Sequence, residues 1–111
     1  MNNPMAMTGR TIMVTGAGQG IGLAISELAI AQGATVAGVD LNADTLNATA
    51  AKYPDHFLPL AGNVADEHFA PEAVAKTIER FGKVDGLVNN AGIGRPAMFT
   101  KMTTAEWQIV L

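Results

Sequence analysis

The stretch TGAGQGIG, residues 15–22, decides how this chain is read. It follows a β-prone run, TIMVTG (11–16). It precedes apolar residues at helical spacing, Ile21, Ala24, Ile25, Leu28 and Ala29, with Gly33 as the stop. The glycines therefore stand where a strand turns into a helix. Glycine at such a turn supplies positive φ, lets the backbone approach a phosphate, and lets helix and strand pack closely. The helix N-terminus adds free N–H groups and partial positive charge, which suit a pyrophosphate. An ordinary glycine-rich turn between strand and helix reads the same way from this stretch alone.

Further along, ATVAGVD (34–40) reads as a second strand. Asn42 is placed to cap a helix carrying Leu46, Ala50 and Tyr53 on one face, ended by Pro54. HFLPLAGNV (56–64) is a third strand, and Pro59 confines it to a sheet edge. Asp66 is expected to cap a third helix with Val74, Ile78 and Phe81 inward and a Glu72–Lys76 pair outward. KVDGLVNNAG (83–92) is a fourth strand running into a glycine loop. Thr103 and Glu106 have capping-box spacing, and Trp107, Val110 and Leu111 mark one face of a helix begun at 103–111. The order βαβαβαβ predicts an α/β fold: a Rossmann-type parallel sheet with helices on both faces, incomplete at its C-terminal side.

Composition narrows the function classes. The chain has 111 residues, 49% of them hydrophobic and 15% charged, which fits one globular domain. A net charge of −3 argues against a nucleic-acid binder. Without cysteine there is no disulfide, thiolate metal site or cysteine nucleophile. His56 and His68 lack the clustering of a metal site. The opening MNNPMAMTGR has no basic segment followed by an apolar one, and no apolar run reaches the ~18 residues of a membrane span. The expectation is a cytoplasmic protein that binds no membrane.

The spacing of the glycines is informative. GxGxxG fails, because its last position is Ile21 counted from Gly16 and Leu23 counted from Gly18. A P-loop fails for want of Gly-Lys-Ser/Thr. What is present is TGxxxGxG, formed by Thr15, Gly16, Gly20 and Gly22. Asp40 ends the second strand, eighteen residues after Gly22, where a carboxylate can accept both ribose hydroxyls of an adenosine and would repel a 2′-phosphate. Helix capping is the other use for an acidic residue there, though Asn42 is available for it.

With GNVAD (62–66), NNAG (89–92) and EWQIVL (106–111) following in order, the sequence from about Arg10 to its end resembles the short-chain dehydrogenase/reductase family. The resemblance makes residues 10–111 the N-terminal part of that family's dinucleotide-binding domain, with 1–9 as a tail. It implies that Gly16, Gln19, Gly20, Ile21, Gly22, Asp40, Leu41, Asn63, Val64, Asn90, Ala91 and Gly92 line the cofactor site, and that Asn89 steadies the sheet. Asn63 departs from the usual aspartate of the adenine-side segment, where its amide carbonyl is expected to accept from the adenine amino group. Gln19 stands where NADP-preferring relatives often carry a basic residue, and Leu41 follows Asp40, so NAD is favoured over NADP.

The family transfers hydride between nicotinamide and an alcohol or carbonyl carbon. A tyrosine serves as acid/base with a lysine four residues on, and a serine orients the substrate oxygen. The resemblance places those residues beyond the end of this sequence. Tyr53 is the only tyrosine, without a lysine four positions later, and Ser26 is the only serine. No catalytic residue is therefore expected here, Arg95 is expected to be solvated, and the chain alone is expected to be inactive. A small alcohol or ketone would be its substrate only with a C-terminal half, and the bare edge of strand four would invite self-association or a partner chain. The other readings are a non-catalytic dinucleotide-binding fragment and a truncated, interaction-only product.

Overall fold

The computed structural model describes residues 6–90. Ala91, Gly92, Arg95 and the helix expected over 103–111 lie outside the described residues. The elements are β1 (Thr11–Thr15), α1 (Gly20–Ala31), β2 (Thr35–Asp40), α2 (Ala43–Lys52), β3 (Phe57–Ala61), α3 (Phe69–Phe81) and β4 (Gly86–Asn89). The strands form one parallel sheet in the order β3-β2-β1-β4, with Val14 opposite Gly38 on one side and Val88 on the other. Chain order runs outward from β1 through β2 to β3, and β4 then returns to the opposite side of β1. The boundary between β1 and β4 is the topological switch point, where open α/β sheets leave a crevice at the strand C-termini.

Both faces of the sheet are apolar, as expected for strands covered on two sides. On one face Ile12, Val14, Val36, Phe57 and Val88 pack with Ala29 of α1 and Leu46 of α2. On the other, Met13, Ala37, Val39, Leu60 and Leu87 pack with Ala70, Ala73 and Val74 of α3. Alternation along each strand sends neighbouring residues to opposite cores. β3 lies at an edge, which accommodates Pro59 opposite Gly38 without a missing internal ladder bond. Asp85 pins the start of β4: its backbone N–H donates to Thr11 O at 2.8 Å, and its Oδ2 accepts from Thr11 N–H at 2.7 Å.

Two helices turn differently from the periodicity. In α1 the buried residues are Gly22, Ser26 and Ala29, while Ile21 is 70% and Leu28 60% exposed. The closest line of contact with the sheet admits only small side chains, so the bulky residues are displaced to the flanks. Ser26 is fully buried because its Oγ donates to Gly22 O at 2.9 Å, one turn back. α3 repeats the arrangement with Ala70, Ala73, Val74 and Thr77 inward, Phe81 partly buried, and Ile78 exposed. Thr77 Oγ1 donates to Ala73 O at 2.7 Å.

The caps divide in the same way. Asn42 Oδ1 accepts from Asp44 N–H at 3.0 Å and Thr45 N–H at 3.2 Å, as its position predicts. Asp66 does not cap α3. Its Oδ1 accepts from His68 N–H at 2.9 Å in a turn that precedes the helix, which begins at Phe69. Gly82, at φ +88°, closes α3. The Glu72–Lys76 pair forms on the outer face of α3 at 3.2 Å.

Candidate functional site

The loop from β1 into α1 crosses the C-terminal end of β2 and is fastened there twice. Ala17 N–H donates to Val39 O at 3.0 Å. Gly18 N–H donates to Asp40 Oδ2 at 2.9 Å. The second bond was not foreseeable from spacing, because Asp40 is twenty-two residues away in sequence. Its other oxygen, Oδ1, accepts from Asn42 N–H at 3.1 Å. A carboxylate offers about four lone-pair sites, so two remain for hydroxyl donors. Asp40 is thus half-buried, anchors the glycine loop, and still presents acceptor capacity at the strand end.

Gly22 shows why the last glycine of the motif admits no side chain. A Cβ there would lie 2.7 Å from Gly16 C and 2.9 Å from Asn90 Nδ2, and closer still to the Gly16 carbonyl oxygen. Gly20 serves differently: its φ of +59° turns the chain into α1, and nothing stands within 4 Å of where its Cβ would be. Gln19 occupies the cap position in extended conformation, and its side chain caps nothing. The first N–H groups of α1 therefore have no side-chain cap and point toward the switch point. Neither acidic nor basic side chains sit in the first turn of α1 to modify the field of its N-terminus.

The end of β4 closes the other side. Thr15 is fully buried, and its Oγ1 lies 3.2 Å from Asn89 Oδ1 and 3.4 Å from Val88 O as a donor. Asn90 Nδ2 donates to Gly16 O at 3.4 Å. Gly16, Gly22 and Asn90 thus converge around the Gly16 carbonyl. On the far side, Gly62 N–H donates to Asp40 O at 2.9 Å, which brings the turn at Asn63 and Val64 beside Asp40 and Leu41. Leu41 is 73% exposed and Ile21 70%, so two large apolar side chains flank the loop on the surface. The structure gathers Gly16, Gln19, Gly20, Ile21, Gly22, Asp40, Leu41, Asn63, Val64 and Asn90 along the C-terminal ends of β3, β2, β1 and β4.

Asn63 takes part in the turn that follows β3. Its Oδ1 accepts from Ala65 N–H at 2.8 Å, and its backbone oxygen accepts from Asp66 N–H at 3.0 Å. One lone pair of the amide oxygen is thus used within its own turn, and the other remains able to accept.

Tyr53 lies away from this ridge, against the α1–α2 core. Its hydroxyl donates to Glu27 Oε2 at 2.9 Å, and Lys52 Nζ donates to the same oxygen at 2.7 Å. Lys52 and Tyr53 thus share one partner, with the ammonium 5.5 Å from the ring centre. The hydrogen bonds from Lys52 and then Tyr53 hold Glu27 below the usual carboxylate range. The same carboxylate pushes the Tyr53 hydroxyl upward, the opposite of what a tyrosine acting as a base near neutrality requires. Among the described residues no group of His, Cys, Asp and Glu could hold a metal ion, and no helix is long and apolar enough to cross a membrane.

Comparison with known proteins agrees with this geometry. The chain is 37% identical to the 3-oxoacyl-[acyl-carrier-protein] reductase FabG of Thermotoga maritima, covering 96% of this chain and 45% of that protein. The crystal structure of 3-ketoacyl-(acyl-carrier-protein) reductase from Brucella melitensis, complexed with NADH, superposes with a TM-score of 0.72 at 31% identity, covering 75% of this chain and 34% of that one. The C-domain of a bacterial malonyl-CoA reductase with NADP gives a TM-score of 0.76 at 25% identity, over 81% of this chain and 16% of that one. The chain spans less than half the length of the curated relatives it matches. The family model for short chain dehydrogenases matches residues 10–111, which include every strand, helix and loop just described. On this match, and on a glycine loop, an acidic strand end and an asparagine pair meeting at one switch point, the chain belongs to the short-chain dehydrogenase family.

Proposed function

We propose that this chain forms the dinucleotide-binding part of an NAD(H)-dependent short-chain dehydrogenase/reductase that transfers hydride between nicotinamide and an alcohol or carbonyl carbon. The observation that carries the reading is the Asp40 carboxylate, held against the glycine loop by Gly18 N–H and retaining acceptor capacity beside an uncapped helix N-terminus. A pyrophosphate suits the free N–H groups of α1, and the cradle at Gly22 admits backbone approach that a Cβ would block. Asp40 accepts from the ribose hydroxyls and disfavours a 2′-phosphate by charge repulsion. Leu41 and Gln19 supply no cation to offset that repulsion. Asn90 orients the Gly16 carbonyl at the crevice between β1 and β4. Bound nicotinamide dinucleotide supplies the hydride donor or acceptor; the residues of this chain bind and orient it.

The proton-transfer set is not assigned to any residue here. Phe57 stands four positions after Tyr53, and the Tyr53 hydroxyl is tied to Glu27, far from the crevice. The chain by itself is accordingly a dinucleotide-binding unit without turnover. Among the described residues β4 pairs only with β1, and its outer edge is the place for a further strand, from a partner chain or a second copy.

The test is the ratio of NADH to NADPH affinity in the 111-residue chain and in Asp40→Ala, read by dihydronicotinamide fluorescence. Absolute affinity falls in the variant for two reasons, loss of the ribose acceptor and loss of the Gly18 anchor, whereas the ratio reports the 2′ position alone. A wild-type preference for NADH that collapses toward unity in the variant supports the reading. A ratio unmoved by the substitution removes Asp40 from the ribose.

A further inference from the structure

The outer edge of β3 is short of hydrogen-bond donors. Val36 N–H donates to His56 O at 2.7 Å, and Gly62 N–H donates to Asp40 O at 2.9 Å. These two bonds and the register turn the N–H and C=O groups of Leu58 and Leu60 toward β2. Those of Phe57, Pro59 and Ala61 face the open side. Phe57 N–H is already given to Tyr53 O at 3.0 Å, and Pro59 has no N–H to give. Among the described residues of β3, Ala61 is left as the one outward donor.

A strand approaching this edge brings carbonyls that need N–H groups at alternate residues. Opposite Phe57 and Pro59 it finds none, and each carbonyl left without a partner costs about 1–3 kcal/mol. The segment has need of such a block. HFLPLAG (56–62) contains no Asp, Glu, Lys or Arg, and Phe57, Leu58 and Leu60 make it an apolar, β-prone run. No charge within β3 keeps another chain away, so proline at its central residue takes that part.

Resting on the β4 edge proposed above as the place for a further strand, we infer that Pro59 closes the opposite edge and so limits association to a pair. The partner is a second copy of this chain. Two copies join β4 to β4 about a twofold axis, and both outer edges of the joined sheet are then β3 strands. Joining β4 of one copy to β3 of the next would be a head-to-tail contact that never closes, the geometry of a fibre. Pro59 is what forbids it.

The experiment is sedimentation velocity over a concentration series for wild type, Pro59→Thr and Pro59→Lys, with thermal melts by circular dichroism to check the fold. Threonine restores the N–H and suits a strand. Lysine restores the same N–H but sets like charges against each other when copies approach. Wild type is expected to level off at twice 11.5 kDa. Pro59→Thr is expected to keep growing with concentration, with amide exchange at Ala61 slowed about tenfold in the assembled form, the scale of one added hydrogen bond. Pro59→Lys should behave as wild type. Wild type that grows past two copies, or a threonine variant that stops where wild type stops, overturns the role of Pro59. So does a lysine variant that grows as the threonine variant does, since growth then follows lost stability and not an opened edge. Wild type that stays monomeric overturns instead the pairing through β4. Pro59 is then judged by the threonine variant alone, which supports the closed edge by pairing through β3 and overturns it by remaining a monomer.

Discussion

Replacing Gly22 by alanine sets two effects of opposite sign against each other. Alanine in place of glycine inside a helix stabilises by about 1 kcal/mol. Against this, the new methyl would lie 2.7 Å from Gly16 C and 2.9 Å from Asn90 Nδ2, with the Gly16 oxygen nearer still. Ordinary carbon contacts are about 3.5–4.0 Å, so the overlap approaches an ångström. The group in the way is backbone, and that backbone is fixed because its neighbours Ala17 and Gly18 are bonded to Val39 O and Asp40 Oδ2. Overpacking in such a setting costs about 1–3 kcal/mol and sometimes more. We expect the upper part of that range, leaving a net loss of roughly 2 kcal/mol after the helix gain. In a domain of this size the melting temperature should fall by roughly 10 °C. Thermal unfolding followed by circular dichroism measures it, with Gly20→Ala as the control. Gly20 has a positive φ but open space, so its alanine variant should lose only about 1 kcal/mol. If Gly22→Ala melts no lower than Gly20→Ala, the loop can retract and the close-approach argument is wrong.

Glu27→Gln should lower stability at neutral pH and be indistinguishable from wild type in acid. Glu27 has its folded pKa below its unfolded one, so its contribution is complete above the ordinary carboxylate range and is lost as pH falls through the lowered folded value. Denaturation at several pH values checks this, and added salt should shrink the difference because Lys52 is exposed. Ser26→Ala should stay within about 0.5 kcal/mol of wild type in urea titrations. The lost hydroxyl bond to Gly22 O is offset by better helix propensity, and the acceptor keeps its helical partner. Thr15→Val should cost about 1 kcal/mol in the same assay, since it removes a fully buried donor between β1 and β4 while preserving shape. Sedimentation velocity over a concentration series should show self-association through the outer edge of β4, and a monomer throughout would contradict it.

The alternation of strands and helices was legible because each strand is bounded by turn residues and each helix has a usable end signal. Asn42 was read correctly as a cap, since an Asx side chain before a polar helix start has few other uses there. The inward faces of α1 and α3 were read in part, Ala29 and Val74 correctly and Ile21, Leu28 and Ile78 not, because periodicity rewards large apolar residues. Close packing of a helix on a parallel sheet instead selected Gly22, Ser26 and Ala29, and Ala70, Ala73 and Thr77. The buried hydroxyls of Ser26 and Thr77 looked polar in sequence, yet each is satisfied one turn back. Asp66 was misplaced because an aspartate can close a turn before a helix as readily as cap one. The placing of the glycine loop between β1 and α1 and of Asp40 at the end of β2 was legible in the sequence, while the bond between Gly18 and Asp40 and the orientation of the Asn63 amide were not. Both depend on which backbone N–H groups the fold brings within reach.

The anchoring of the glycine loop by Asp40 bears on how such a chain could change cofactor. On the ribose role proposed for Asp40, a variant that accepts a 2′-phosphate sheds the negative charge at this position, yet the same carboxylate holds Gly18 N–H and Asn42 N–H. Removing it leaves the buried amide of Gly18 without its acceptor and loosens the glycine loop. A neutral replacement that can still accept at short reach, such as serine or asparagine, keeps the loop ordered while the charge is withdrawn. Exchange of cofactor in this scaffold is therefore a two-step path, in which the loop needs a new tether before a cation for the extra phosphate can be of use.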